Sequence, residues 1–174
     1  MGPARVSAAP WKSALAGQFL AAIDMLDNAI RACPPRLWDD PSVPVERRFW
    51  YLAFHTLFWL DRYLCDAPDA HVPPAPFTLG ELDPTGVYPE RAYTVDDLLA
   101  YLERGRDRCR AMLRALDDAR ASETSTFRSG ELSVLEMHHY NLRHVQHHTA
   151  QLNLLLRQGG VTPPRWVGRG RDAG

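Results

Sequence analysis

Hydrophobic residues recur at helical spacing in four stretches of the chain, separated by proline-rich or polar segments. This pattern predicts helices over residues 11–32, 44–64, 94–120 and 131–158. Pro34 and Pro35 end the first helix, and Pro44 suits the first turn of the second, where its missing N–H is not needed. No stretch alternates as a strand does, so the sequence predicts an all-α four-helix bundle.

Two of these helices carry signals for their N-terminal ends. Thr94 is followed three residues later by Asp97, and Ser133 is followed at the same spacing by Glu136. This is the spacing of a capping box, in which each residue of the pair satisfies a backbone N–H of the other. The signals predict that the third and fourth helices begin at these residues.

The longest connection covers residues 66–93 and contains six prolines. Loops of this length are uncommon inside compact domains and are often functional. The segment can cross the length of a bundle, so the two helices that it joins need not be antiparallel neighbours. Phe77, Tyr88 and Tyr93 are expected to anchor it on the core, and His71 is expected to lie in solvent.

The length of 174 residues suits one domain with a substantial core. We assign a single domain to residues 1–174, with core helices within residues 11–158. Residues 1–10 are expected to form a loose arm. Residues 161–174 are expected to form an extended tail held by Trp166.

The composition narrows the classes of partner. A formal net charge of -1 gives no overall bias toward nucleic acid or an anionic membrane. The start of the chain lacks a secretory signal pattern, and no apolar run reaches about 18 residues. We therefore expect a cytoplasmic protein with neither a nucleic-acid nor a membrane partner. Cys33, Cys65 and Cys109 fit reduced thiols better than a disulfide framework or a zinc ribbon.

Histidines cluster in the fourth predicted helix, which carries five of the seven: His138, His139, His144, His147 and His148. His144 and His148 are four residues apart, so their imidazoles share one face, at a spacing suited to chelating a metal. Leu152 and Leu155 lie close to the same direction. The pair is therefore expected to point into the bundle.

His55, in the aromatic second helix, is the third candidate ligand. Taken alone, it is more often a hydrogen-bonded core residue, and the pair on the fourth helix could be a solvated stripe. Together they favour one cation bound by three imidazoles, since burial without partners costs free energy. His138, His139 and His147 are expected at the surface or in support of the ligands. His147, three residues after His144, is the main rival ligand, but it points toward the edge of the face.

The fourth helix also carries a family resemblance. Residues 141–157 resemble the signature helix of the DinB-like superfamily, which includes YfiT-like and thiol-dependent transferase proteins. The matching positions are His144, His148, Gln151 and Arg157. Residues 51–64 resemble the family's second helix, with His55 in the place of the remaining ligand, and residues 94–102 resemble the start of its third. Thr149 and Ala150 replace the Arg-Gly of many members.

The resemblance implies a DinB/YfiT-like bundle whose second and third helices run parallel across the long connection. It implies that His55, His144 and His148 hold a divalent metal ion, with Gln151 orienting a ligand or binding substrate. Imidazole suits zinc, nickel, iron and copper alike, and we name zinc first and nickel second.

The function implied is that of a metal-dependent enzyme, a thiol S-transferase or related hydrolase, acting on a small molecule with a low-molecular-weight thiol as one substrate. The alternative is a non-catalytic metal-binding stress-response module, which could form a homodimer. Asp61 and Glu136 are candidates for a general base, but no pattern supports either.

Overall fold

The computed structural model describes residues 10–125, 127 and 132–170. Six α-helices lie within them: α1 (Pro10–Ala32), α2 (Pro35–Trp38), α3 (Phe49–Tyr63), α4 (Val95–Ala115), α5 (Asp118–Ser122) and α6 (Val134–Gln158). The four long helices form a bundle, which confirms the all-α fold class. The arm was predicted over residues 1–10, but Pro10 already belongs to α1. Residues 1–9 and 171–174 lie outside the described residues, as do residues 126 and 128–131 of the loop before α6.

Each long helix has two long helices as neighbours. Both α1 and α3 pack against α4 and α6, so α1 and α3 occupy opposite corners. Leu60 of α3 meets Gly105 of α4, and Cys65 just beyond α3 meets Arg108 one turn further along α4. The two helices therefore run parallel, as the family resemblance implied. Among the described helices, none combines the length and hydropathy that crossing a membrane requires.

The second long helix begins later than the sequence predicted. Pro44 precedes a single 3-10 turn, Val45–Arg47, and α3 starts only at Phe49. Arg48 between them is extended, with a ψ of 148°. Its side chain explains the break, because its Nε donates to the Val43 carbonyl and its Nη1 to Asp39. These bonds hold the chain at the corner before the helix.

The third long helix ends earlier than predicted, at Ala115 rather than near Arg120. Leu116 leaves the helical region, with a ψ of 117°, and buries its side chain in the core. The Asp117 side chain then accepts a hydrogen bond from the backbone N–H of Arg120 and caps the short helix α5. A new N-cap thus separates two helices that the hydrophobic pattern had joined.

Both predicted capping boxes are confirmed. The one at Ser133 follows a feature that the sequence did not predict, a two-stranded antiparallel sheet. Its strands are β1 (Thr124–Ser125) and β2 (Leu132–Ser133). Strands of two residues contain no alternation to detect.

The connection over residues 66–93 lies against the parallel pair α3 and α4 and contains two 3-10 turns, Pro68–Ala70 and Leu79–Leu82. Phe77 is a buried anchor, as predicted, stacked between Phe54 of α3 and Tyr101 of α4 with ring centroids 5.6 and 4.5 Å away. Tyr93 is buried as well, whereas Tyr88 is only partly covered, by Tyr51.

The prediction for His71 was wrong. The residue is only 4% exposed, and its Nε2 lies 2.9 Å from Asp61 Oδ2. A loop histidine is usually solvated, but this one reaches a buried carboxylate that the sequence pattern could not place opposite it.

The tail is held differently from the prediction. Trp166 is 71% exposed and does not pin it. Instead, the N–H of Gly170 donates to the carbonyl of Gly17 in α1 at 2.8 Å. A Cβ on Gly170 would lie 2.3 Å from the Leu20 Cβ, so the close approach to α1 requires glycine.

Asp61 of α3 joins the loop to the bundle. Its side chain is completely buried, and its Oδ1 accepts from Arg108 Nη1 at 2.6 Å, while Oδ2 meets His71 and the Tyr101 hydroxyl. Burial alone would raise the pKa of this carboxyl, but the hydrogen bond with His71 and the charge of Arg108 lower it below its usual value. The carboxylate is thus ionised and fully used by its partners.

We expect Asp61→Ala to lower the free energy of unfolding by about 3–5 kcal/mol, because it leaves the buried His71 and Tyr101 groups and the partly buried Arg108 without their shared partner. The matched control is Asp107→Ala on α4, since Asp107 is exposed and pairs with Arg110 one turn away; about 0.5 kcal/mol or less is expected there. Urea denaturation followed by circular dichroism measures both. A similar loss in the two variants would contradict this role for Asp61.

Candidate metal centre

Three histidines converge where α3 packs against α6. The two helices are antiparallel, with Asn141 of α6 donating to the Leu60 carbonyl, so His55 faces the turn of α6 that carries His144 and His148. The ring centroid of His55 lies 5.4 Å from that of His144 and 4.7 Å from that of His148. One nitrogen of each ring lies within 4.8 Å of the other two, and the group could hold a metal ion.

The structure separates these three residues from the other histidines of α6. His147 contacts His148, but its side chain is exposed at the edge of the face, as expected. His139 is exposed, and its Nδ1 meets the Leu135 carbonyl. His138 is neither at the surface nor beside the three histidines, because it is buried near the N-terminal end of α6. The expectation for His138 was therefore wrong.

The long loop supplies a carboxylate that sequence reasoning missed. Glu81 Oε2 lies 2.7 Å from His55 Nδ1 and accepts a second hydrogen bond from the Trp59 indole at 3.1 Å. The Glu81 side chain is only 5% exposed. It lies 26 residues from His55 in a segment without periodicity, so no spacing signal in the sequence could have identified it.

Gln151 makes the contact that was expected of it. Its Oε1 lies 2.7 Å from His148 Nδ1. An amide oxygen and a carboxylate can only accept hydrogen bonds, so Nδ1 of both His148 and His55 carries the proton. The lone pair of Nε2 in each ring is then available for a cation, which is how surrounding groups fix metal-binding tautomers.

The electrostatics of the cluster favour neutral imidazoles. Burial, together with the neighbouring His148 and His55, lowers the pKa of His144 to about 3. Burial also lowers the pKa of His148 to about 4. For Glu81, burial would raise the pKa, but the interactions with His55 and the hydrogen bonds from Tyr51 and Trp59 together outweigh it, and the pKa is lowered. At neutral pH the rings of His144 and His148 are thus uncharged, and the Glu81 carboxylate lies behind the ring of His55.

The residues fit a first-row divalent cation. His144 Nδ1 is buried and has no hydrogen-bond partner within the described residues, which leaves it able to coordinate. Imidazole nitrogens bind such ions at about 2.0–2.1 Å, so the rings would close slightly from their present separation. Zinc, nickel, iron and copper all accept imidazole, and the donor set alone does not choose among them.

The two candidate general bases are engaged elsewhere. Asp61 is enclosed by α4 and His71, and Glu136 caps α6 through Ser133. Each carboxylate is therefore explained by its structural partners.

Comparison with known proteins agrees with the geometry. A family model described as the DinB superfamily matches residues 18–152, which include the three histidines, Glu81 and Gln151. No curated protein matches the chain.

The ligand set can be tested with single substitutions. His55→Ala, His144→Ala and His148→Ala should each weaken metal binding at least about tenfold, because two imidazoles remain. His139→Ala and His147→Ala are matched controls that should retain the metal. Metal content after dialysis of untagged protein against limiting zinc measures all five. Loss in His147→Ala together with retention in His55→Ala would assign the site to α6 alone.

The lowered pKa values predict how acid affects the metal-free protein. Imidazoles of the unfolded chain take up protons near pH 6.5, whereas His144 and His148 in the fold do so only near pH 3–4. The unfolded state therefore binds more protons in this interval, and the free energy of unfolding should fall as the pH is lowered from 7 to 5.5.

Urea titrations across this interval should show a shallower slope for His144→Leu than for the parent protein. His139→Leu, which removes an exposed imidazole, is the control and should keep the parent's slope. Equal slopes for all three proteins would contradict the assignment.

Proposed function

The chain belongs to the DinB superfamily, and we propose that it is a metal-dependent enzyme in which His55, His144 and His148 hold one divalent cation. The observation that supports the proposal is the convergence of three imidazoles from two helices, with their donor atoms within 4.8 Å. Zinc is the first candidate and nickel the second.

Three protein ligands leave coordination positions open, the arrangement of catalytic rather than structural sites. A bound cation would supply a Lewis acid able to accept a water molecule or a thiolate at the open position. Glu81 holds the His55 ring by its Nδ1–H, and Gln151 does the same for His148. Their role is to fix the direction in which each Nε2 points.

Aromatic rings border the cluster on two sides. Trp59 lies edge-on to His55, with centroids 6.3 Å apart, and Tyr63 lies edge-on to His144 at 5.8 Å. Such a border suits a substrate with an apolar part. The proposed reaction is transfer of a low-molecular-weight thiol to a small electrophile, or a related hydrolysis, in the cytoplasm.

The proposed reaction is tested with metal-loaded protein, a panel of low-molecular-weight thiols and electrophiles, and hydrolysable esters and amides. We expect turnover that stops with chelator, returns on adding zinc or nickel, and is lost in His144→Ala. Metal binding without turnover across the panel would favour the alternative of a non-catalytic metal-binding module.

Glu81 provides a second test of the site. Glu81→Gln keeps the shape of the side chain but removes its charge, so metal affinity should fall about 10–100-fold. Glu90→Gln, an exposed carboxylate of the same loop, is the matched control and should leave the affinity unchanged. Competition with a chromophoric zinc chelator measures the affinity. Equal affinities in the two variants would contradict the role assigned to Glu81.

A further inference from the structure

A second concave site lies near the N-terminal end of α6. It is a cavity of about 510 Å³ between the end of α3, the second half of α4 and the start of α6, beside β1. Its size falls within the range of small-molecule sites in proteins. The chain passes here from α3 into the long loop, and none of the three clustered histidines lines the cavity.

One wall contains a buried polar group without a partner. His138 is 7% exposed, lines the cavity, and its Nδ1 has no hydrogen-bond partner among the described residues. Burial lowers its pKa to about 4, so the ring is neutral. Buried polar atoms are normally paired, so a ligand in the adjoining cavity could supply the partner that this nitrogen lacks.

Two guanidinium groups also line the cavity. Arg108 is held in place by Asp61, and its Nη2 donates to Cys65 Sγ at 2.9 Å. Arg120 is partly exposed, pairs with Glu123, and is 3.5 Å from Asp66, whose side chain is fully exposed. The bond to Asp66 is long and solvated, so a ligand anion can replace it at little cost. Asp66 is the one carboxylate among the described residues that line the cavity, and a ligand carboxylate that takes its place beside Arg120 keeps the local charge balance unchanged.

The rest of the wall is apolar. Tyr63, Leu116 and Met137 are buried residues that line the cavity. A ligand that matches both parts has an apolar body and a negatively charged head.

We propose that this cavity binds a small carboxylic acid, separately from the histidine cluster. The carboxylate lies against Arg120 and accepts from the imidazole N–H of His138, and the apolar body lies against Tyr63, Leu116 and Met137. Arg108, whose charge is matched by Asp61, lines the cavity beside Cys65.

Cys65 offers a built-in reporter, because its thiol lines the cavity. Of the other two cysteines, Cys109 is buried, and burial raises the pKa of Cys33 to about 12, so both should react slowly with iodoacetamide. The rate at which Cys65 is alkylated, followed by peptide mass spectrometry, therefore reports whether the cavity is filled.

The experiment uses metal-free protein with 4-phenylbutyrate and octanoate as probes and their primary amides as neutral counterparts. We expect at least one acid to slow alkylation of Cys65 fivefold or more, with its amide needing at least tenfold higher concentration. N-acetylcysteine in the same mixture corrects for any effect on the reagent. No protection by either acid at 10 mM, or equal protection by acid and amide, overturns the proposal.

Substitutions locate the bound acid. Arg120→Gln should raise the concentration needed for protection about tenfold, and Arg114→Gln, an exposed arginine of α4 outside the cavity, should not change it. Protection should persist in His144→Ala, whatever the metal centre does. Loss of protection in His144→Ala would place the acid elsewhere and overturn the proposal. An unchanged protective concentration in Arg120→Gln would do the same.

Discussion

The buried carboxylate of Asp61 is the constraint on which the arrangement of this molecule depends. Parallel neighbouring helices require a connection that returns along the whole bundle, and a connection of this length has a large entropy to lose. Asp61 binds the loop through His71 and α4 through Arg108, so one side chain fixes both helices and the segment between them. The stacked rings around Phe77 fix the same loop a few residues later. These contacts place Glu81, four residues beyond Phe77, next to His55.

The buried carboxylates of Asp61 and Glu81 differ in what their charge does. The Asp61 group is surrounded by cations and donors, and its charge is balanced within the fold. The histidine cluster has one anion, Glu81, behind His55 and none of the other acidic residues in contact with its rings among the described residues. The rings that face one another are neutral and offer nitrogen lone pairs, which is what a metal cation requires of imidazole ligands.

The parts of this structure that follow from local rules were predictable from the sequence, and those that depend on distant contacts were not. Helical periodicity, the two capping boxes and the i,i+4 histidine pair are local, and each is present. The positions of His71 and Glu81 depend on how the loop folds back, which no periodicity encodes. The N-cap at Asp117 was missed because Leu116 continues the apolar pattern while its backbone leaves the helix. Trp166 was wrongly predicted to hold the tail, because a large apolar residue is a stronger signal in sequence than a glycine. The contact is made instead by the backbone of Gly170.

The hydrogen bond between Glu81 and His55 connects two properties that are usually considered separately, the occupancy of a site and the order of a loop. Any ligand that binds better when His55 is correctly oriented also favours the conformation of the loop that holds Glu81, and the coupling is equal in both directions. The rate at which a protease cleaves this loop should then fall as the concentration of free ligand rises. The proline-rich segment therefore both supports the histidine cluster and reports, through its own order, whether the cluster is occupied.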